Sequence, residues 1–89
     1  MTLQELREKI EEIDDDIIRL IRARMDVALK IAETKTITGL PTHDPDRVDT
    51  VLRTVMKKAD SLKLDPDSMR DVFSLLIRMS EDMQDKIRK

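Results

Sequence analysis

Eighty-nine residues with one Gly, three Pro, one Phe and no Trp, Tyr or Cys make one small domain, residues 1–89, near the size at which a single core is only marginally stabilising. The lack of cysteine excludes a disulfide framework, a thiol nucleophile and a thiolate metal site, and a net charge of −2 argues against nucleic acid as the main partner. No apolar run approaches the length of a membrane span, and Met1-Thr2-Leu3-Gln4-Glu5 is no secretory leader, so a cytoplasmic location is expected.

The composition is rich in helix formers and poor in the aromatic and β-branched residues of sheets, which predicts an all-α fold. The first helix opens at Thr2, where Glu5 three residues later completes a capping box. Its apolar residues Leu3, Leu6, Ile10, Ile13, Ile17 and Leu20 alternate steps of three and four, a heptad-like seam that resumes at Val27 and Ile31. The helix is expected to end near Thr36, ahead of Gly39 and Pro41. The second starts at Asp44-Pro45, an N-cap followed by proline in the first turn, with an apolar face of Val48, Val51, Leu52, Val55, Met56 and Leu62. The third repeats the device at Asp65-Pro66 and buries Met69, Val72, Phe73, Leu76, Ile77, Met83 and Ile87. Connections fall at about 37–43 and 63–64.

A first helix of about 35 residues measures ~50 Å at ~1.5 Å per residue, whereas a compact chain of this size has a radius of gyration of only ~12 Å. The helix therefore overshoots its two partners and leaves apolar surface uncovered. A second copy of the same helix is the simplest cover, which predicts an intertwined homodimeric bundle of three helices per protomer.

The seam contains an anomaly. Four residues past Leu20 stands Arg24, a cation at a core position, where desolvation without a partner costs several kcal/mol. Lys35 follows Ile31 in the same register, and Arg7 borders the seam among Leu3, Leu6 and Ile10. On the third helix Ser80 interrupts the apolar stripe, and Gln84 lies one turn further on. Arg47 in the first turn of the second helix opposes the helix dipole and hints at an external anion. Each has an ordinary structural explanation: an arginine that fixes register, a serine bonded to its own helix, surface lysine and glutamine. Their gathering on several helices favours a pocket for a dicarboxylate. His43, the one histidine, reads as a turn residue. Asp14, Asp15 and Asp16 point in different directions and cannot converge on a metal. The six methionines read as core filler.

Leu6-Arg7-Glu8-Lys9-Ile10 with Ile13-Asp14, then Arg24, Lys35, the Asp44-Pro45-Asp46-Arg47 turn, and Phe73 with Ser80 and Gln84, resemble the all-helical chorismate mutase family over nearly the whole chain. The resemblance implies three helices per protomer, a dimer built on crossed first helices, active sites shared between protomers, chorismate as substrate, and a place in the shikimate pathway of aromatic amino acid biosynthesis. It also implies roles. Arg7 would reach into the partner's site to hold a carboxylate, Arg24 would bind a carboxylate from within, and Arg47 would add a further cation. Lys35 and Gln84 would hydrogen-bond the ether oxygen of the breaking bond. Ser80 would meet the ring carboxylate, and the Asp44 backbone the ring hydroxyl.

The rearrangement of chorismate to prephenate is a one-step pericyclic shift, so no cofactor, metal or nucleophile is expected. The protein has to hold a folded dianion and stabilise charge developing on the ether oxygen. One position departs from the family. Where the mutases usually carry a glutamate that accepts the ring hydroxyl's hydrogen bond, this chain has Val48. The sister isochorismate-pyruvate lyases, which form salicylate on the same fold, resemble it there and at Arg24-Met25-Asp26. The mutase is the leading reading, with the lyase and a non-catalytic helical dimerisation module as alternatives.

Overall fold

Three local capping signals set the three helices. In the computed structural model, which describes residues 1–89, α1 spans Leu3–Thr38, α2 Pro45–Ser61 and α3 Pro66–Ile87, with no strand. Thr2 Oγ1 accepts from the Glu5 N–H at 3.1 Å, and the Glu5 carboxylate accepts in return from the Thr2 N–H at 3.3 Å, closing the capping box. Asp44 and Asp65 cap α2 and α3 by accepting from the N–H groups of Arg47 and Ser68. Asp65 also accepts the Ser68 hydroxyl at 2.6 Å. That bond first, and the backbone bond second, hold its carboxyl below the usual range. The cap is therefore fully formed above the ordinary carboxylate pKa and weakens only as pH falls through the lowered one.

The connections close in one way. After α1, Gly39 takes the left-handed conformation (φ 72°), and Leu40 N–H donates to Lys35 O at 2.9 Å while Gly39 N–H donates to Thr36 O at 3.4 Å. This Schellman arrangement ends the helix at Thr38, two residues beyond the point expected from sequence. After α2 the left-handed position falls to Lys63 (φ 60°), with Leu64 N–H donating to Ala59 O at 2.9 Å. A residue with a Cβ is strained there by ~1 kcal/mol or more. Lys63→Gly should therefore raise the midpoint of urea unfolding with an unchanged slope, and a lowered midpoint would show that the turn is unstrained.

The central element is α3, which packs against both α1 and α2, while α1 and α2 do not pack on each other. Fully buried apolar residues are few and mostly small: Met25, Ala28 and Ala32 on α1, and Ala59 on α2. Alanines four residues apart on α1 let α3 approach closely. The expected apolar faces of α2 and α3 are turned toward this contact but only half-buried. Leu62, Val72 and Ile87 depart from expectation, being 70%, 50% and 51% exposed. Val72 shares its face of α3 with exposed Leu75 and Met79, Leu62 lies past the end of α2 as its C-cap, and Ile87 is the last residue of α3, so within a single chain all three stay uncovered, as the seam of α1 does. Ser80 and Gln84 are the side chains that α3 buries instead.

The overshoot of α1 is real. Every residue from Met1 to Leu20 is exposed, including the whole seam from Leu3 to Leu20. The molecule is 54 Å long with a radius of gyration of 16.1 Å, against ~12 Å for a compact chain. Its accessible surface is 7108 Å², where a folded monomer of this mass exposes about 5,400 Å².

Candidate active site

Because α1 and α2 flank α3 without touching, a trough remains between them, a cavity of about 570 Å³. Arg24 and Lys35 from α1, Asp44, Arg47 and Val48 from the start of α2, and Ser80 and Gln84 from α3 all line it. Val27, Ile31, Val51 and Ile77 supply apolar wall between the polar groups. Arg7 is the one candidate residue not brought here. It is exposed on α1, 17 residues before Arg24 and so about 25 Å away along the helix.

The cations of this cavity lack counter-ions. Arg24 is half-buried, and its guanidinium donates to Ser80 Oγ at 2.8 Å and Leu76 O at 3.4 Å, both neutral acceptors. Ser80, 6% exposed, returns its own hydrogen to Leu76 O at 3.0 Å. Lys35 Nζ donates to the Thr42 carbonyl at 2.6 Å. The chain's ion pairs are Arg19–Asp16, Arg22–Asp26, His43–Glu81 and Arg53–Asp49, so no carboxylate lies within ion-pair distance of Arg24, Lys35 or Arg47. An arginine kept only to fix helix register would be expected to carry a carboxylate partner. Here its partners are neutral oxygens alone.

Gln84 adds a second unspent group. It is 5% exposed, and its Oε1 is buried without a hydrogen-bond partner. Buried polar atoms left without a partner are uncommon; this one is an acceptor, so the part of the amide that suits an anionic ligand is its Nε2 hydrogens.

Two lining residues absent from the sequence-based site, Thr42 and Glu81, are held from outside the cavity by Arg88 and His43. Arg88, from the end of α3, donates to Thr42 Oγ1 at 2.9 Å and to the Leu40 carbonyl, so that Lys35 and Arg88 clasp the α1–α2 loop from two helices. In the same loop His43 Nδ1 lies 2.8 Å from Glu81 Oε1, and Glu81 itself lines the cavity. These pairs join residues 38 and 46 positions apart, and helical periodicity does not carry such a signal. His43 is an anchor of the loop rather than a plain turn residue.

A cavity with three uncompensated cations, a hydroxyl, an amide and apolar walls can grip a small polyanion with an apolar body. The sequence profile described as chorismate mutase type II matches residues 6–85. The chain belongs to that family. It is similar to the chorismate mutase of Methanocaldococcus jannaschii, at 33% identity over 92% of this chain and 83% of that protein. It is also similar to the T-protein of Enterobacter agglomerans, at 31% identity, where the match takes 88% of this chain but only 21% of the longer relative. A 4-amino-4-deoxychorismate mutase of Streptomyces venezuelae is 28% identical over 84% of this chain and 73% of that protein. Type II chorismate mutases are helical, in keeping with three helices and no strand here. No helix is long and apolar enough to cross a membrane.

Proposed function

We propose that the chain is a chorismate mutase that converts chorismate to prephenate in the α1–α2–α3 cavity. The observation that carries this reading is the set of three cations, Arg24, Lys35 and Arg47, facing one cavity with no carboxylate within ion-pair distance of any of them. A dianion supplies the missing charge. Arg24 with Ser80 holds one carboxylate, and Arg47 contributes to the field on the other. Lys35 and the Gln84 amide donate to the ether oxygen, where negative charge grows as the carbon–oxygen bond breaks. Donors fixed in a water-poor site need little reorganisation at that moment, and one of them is worth about a hundredfold or more in rate. The Asp44 backbone meets the ring hydroxyl.

The active unit is a homodimer in which Arg7 completes the partner's cavity. Support comes from the exposed seam and from a surface about 1,700 Å² larger than a folded monomer of this mass carries, comfortably more than the ~800 Å² each partner buries in a standard interface. Burying the seam also carries Arg7, stranded on the free end of α1, to a second copy. Sedimentation at micromolar concentration should show a dimer, and an active monomer would refute shared sites.

Incubation with chorismate should give prephenate, followed as loss of the diene absorbance. Val48 specifically favours a second reading, the isochorismate-pyruvate lyase. Release of salicylate and pyruvate from isochorismate, with chorismate untouched, would replace the mutase by the lyase. Faster turnover of 4-amino-4-deoxychorismate than of chorismate would keep the rearrangement but reassign the ring substituent.

A further inference from the structure

Two carboxylate residues line the cavity; Asp44 spends its carboxylate on the α2 cap by accepting from the Arg47 N–H, which leaves Glu81 as the one that a site for a dianion ought to avoid. Glu81 lines the cavity alongside Ser80 and Gln84, with its side chain only 25% exposed. Opposite, on α2, the same cavity is lined by Val48, the position where a mutase usually presents a glutamate to the ring hydroxyl. We infer that Glu81 is the acceptor of the substrate's ring hydroxyl in this chain, so that the carboxylate missing from α2 is supplied from α3 and held in place by His43.

Three observations support the transfer. Charge comes first. A carboxylate facing either carboxylate of the substrate would repel it, so within this cavity Glu81 is tolerable only beside the part of the substrate that offers a hydrogen, and the ring hydroxyl is that part. Orientation is the second. Glu81 Oε1 is bonded to His43 Nδ1 at 2.8 Å, and His43 directly precedes Asp44, whose backbone is assigned to the same hydroxyl. The carboxylate is thus drawn toward the loop that borders the hydroxyl, and Oε2 is left to accept from it. Since a carboxylate only accepts, the imidazole donates from Nδ1. Rigidity is the third: Lys35 and Arg88 hold Thr42, next to His43, so the backbone that carries the imidazole is fixed although the ring itself is 60% exposed. His43 acts through Glu81 and is a positioning residue.

This inference rests on the mutase reading, and the experiment separates the two. Glu81→Val should lower kcat/KM for chorismate by about ten- to hundredfold, the usual range for a hydrogen bond to a charged group, with most of the loss in kcat. Adding Val48→Glu to that variant should recover activity to within a few-fold of the parent. Val48→Glu in the parent should bring no gain over the parent, because two carboxylates would then face one hydroxyl. His43→Ala should show part of the loss and His43→Asn, which keeps a donor near Nδ1, should regain it.

Binding supplies the readout that does not need turnover. A bicyclic ether dicarboxylate shaped like the folded conformer, prepared with and without its hydroxyl, is titrated calorimetrically into parent and Glu81→Val. Glu81→Val should weaken the hydroxylated ligand about tenfold and leave the other unchanged. If it tightens both ligands, or lowers KM for chorismate with kcat intact, Glu81 merely repels substrate from the rim and the inference is wrong. If the parent leaves chorismate unchanged yet shows the hydroxyl-dependent difference, the mutase reading fails and the assignment of Glu81 stands.

Discussion

Arg24→Ala should lower kcat/KM for chorismate by at least about a hundredfold, while the protein stays folded. The guanidinium is half-buried and bonded only to Ser80 and to a helix carbonyl, so its removal breaks no ion pair. Ser80 keeps its own bond to Leu76 O. The principal loss appears when substrate binds: a carboxylate enters a partly desolvated pocket without its cation, a deficit of about 2–5 kcal/mol in comparable truncations. Thermal unfolding should therefore change little, and a large drop in Tm with a small drop in kcat/KM would make Arg24 a packing residue.

The same variant locates Arg7. Arg7→Ala alone should be severely impaired although it leaves this chain's own cavity untouched, because the residue it removes belongs to the partner's site. Mixing inactive Arg7→Ala with inactive Arg24→Ala chains should restore activity. In a random mixture about half the dimers are heterodimers, each with one site free of both changes, so recovery should approach about one quarter of parental turnover. No recovery after verified subunit exchange would put Arg7 in its own chain's site, and an Arg7→Ala chain that is active by itself would put it outside any site.

The sequence was informative wherever structure is decided within a few residues. The Thr2–Glu5 box, the two Asp-Pro caps and the glycine after α1 are local chemistry, and each helix begins where that chemistry puts it. The inward serine, glutamine and arginine were legible for a related reason: a polar residue breaking a helical stripe has to face whatever the stripe faces. Leu62, Val72 and Ile87 lie on apolar stripes yet are exposed in the single chain, because periodicity gives a side of the helix and not what stands opposite it. The small core, with its alanines on α1, was invisible to a search for large apolar residues, although alanine is what permits the close α1–α3 approach. His43–Glu81 and Arg88–Thr42 depend on how the loop folds back across the end of α3, and no spacing within one helix encodes that. A lone histidine and a glutamate beside an inward serine were the available hints, and charge alone made both look like solvated surface.

Gln84→Glu should turn a nearly pH-independent enzyme into one that works only in acid. The parent amide donates its N–H without titrating, so the donor to the ether oxygen is present at every pH at which the protein is folded. A glutamate of the same length can donate only when protonated. Activity of the variant should therefore fall as pH rises through the pKa of the new carboxyl, and at neutral pH the loss should be about a hundredfold or more, the value of one donor to a developing oxyanion. Where that pKa lies depends on two opposing causes. Residue 84 is only 5% exposed, which disfavours the carboxylate, while Arg24 and Lys35 in the same cavity favour it. Bound dianion adds to the first effect, so the pKa read from kcat should exceed that read from kcat/KM. Lys35→Ala provides the contrast: it removes a donor that Gln84 cannot replace, and its deficit should be similar from mildly acidic to neutral pH. A Gln84→Glu protein whose turnover stays flat from mildly acidic pH up to the alkaline limit of folding would mean that residue 84 does not donate to the reacting oxygen.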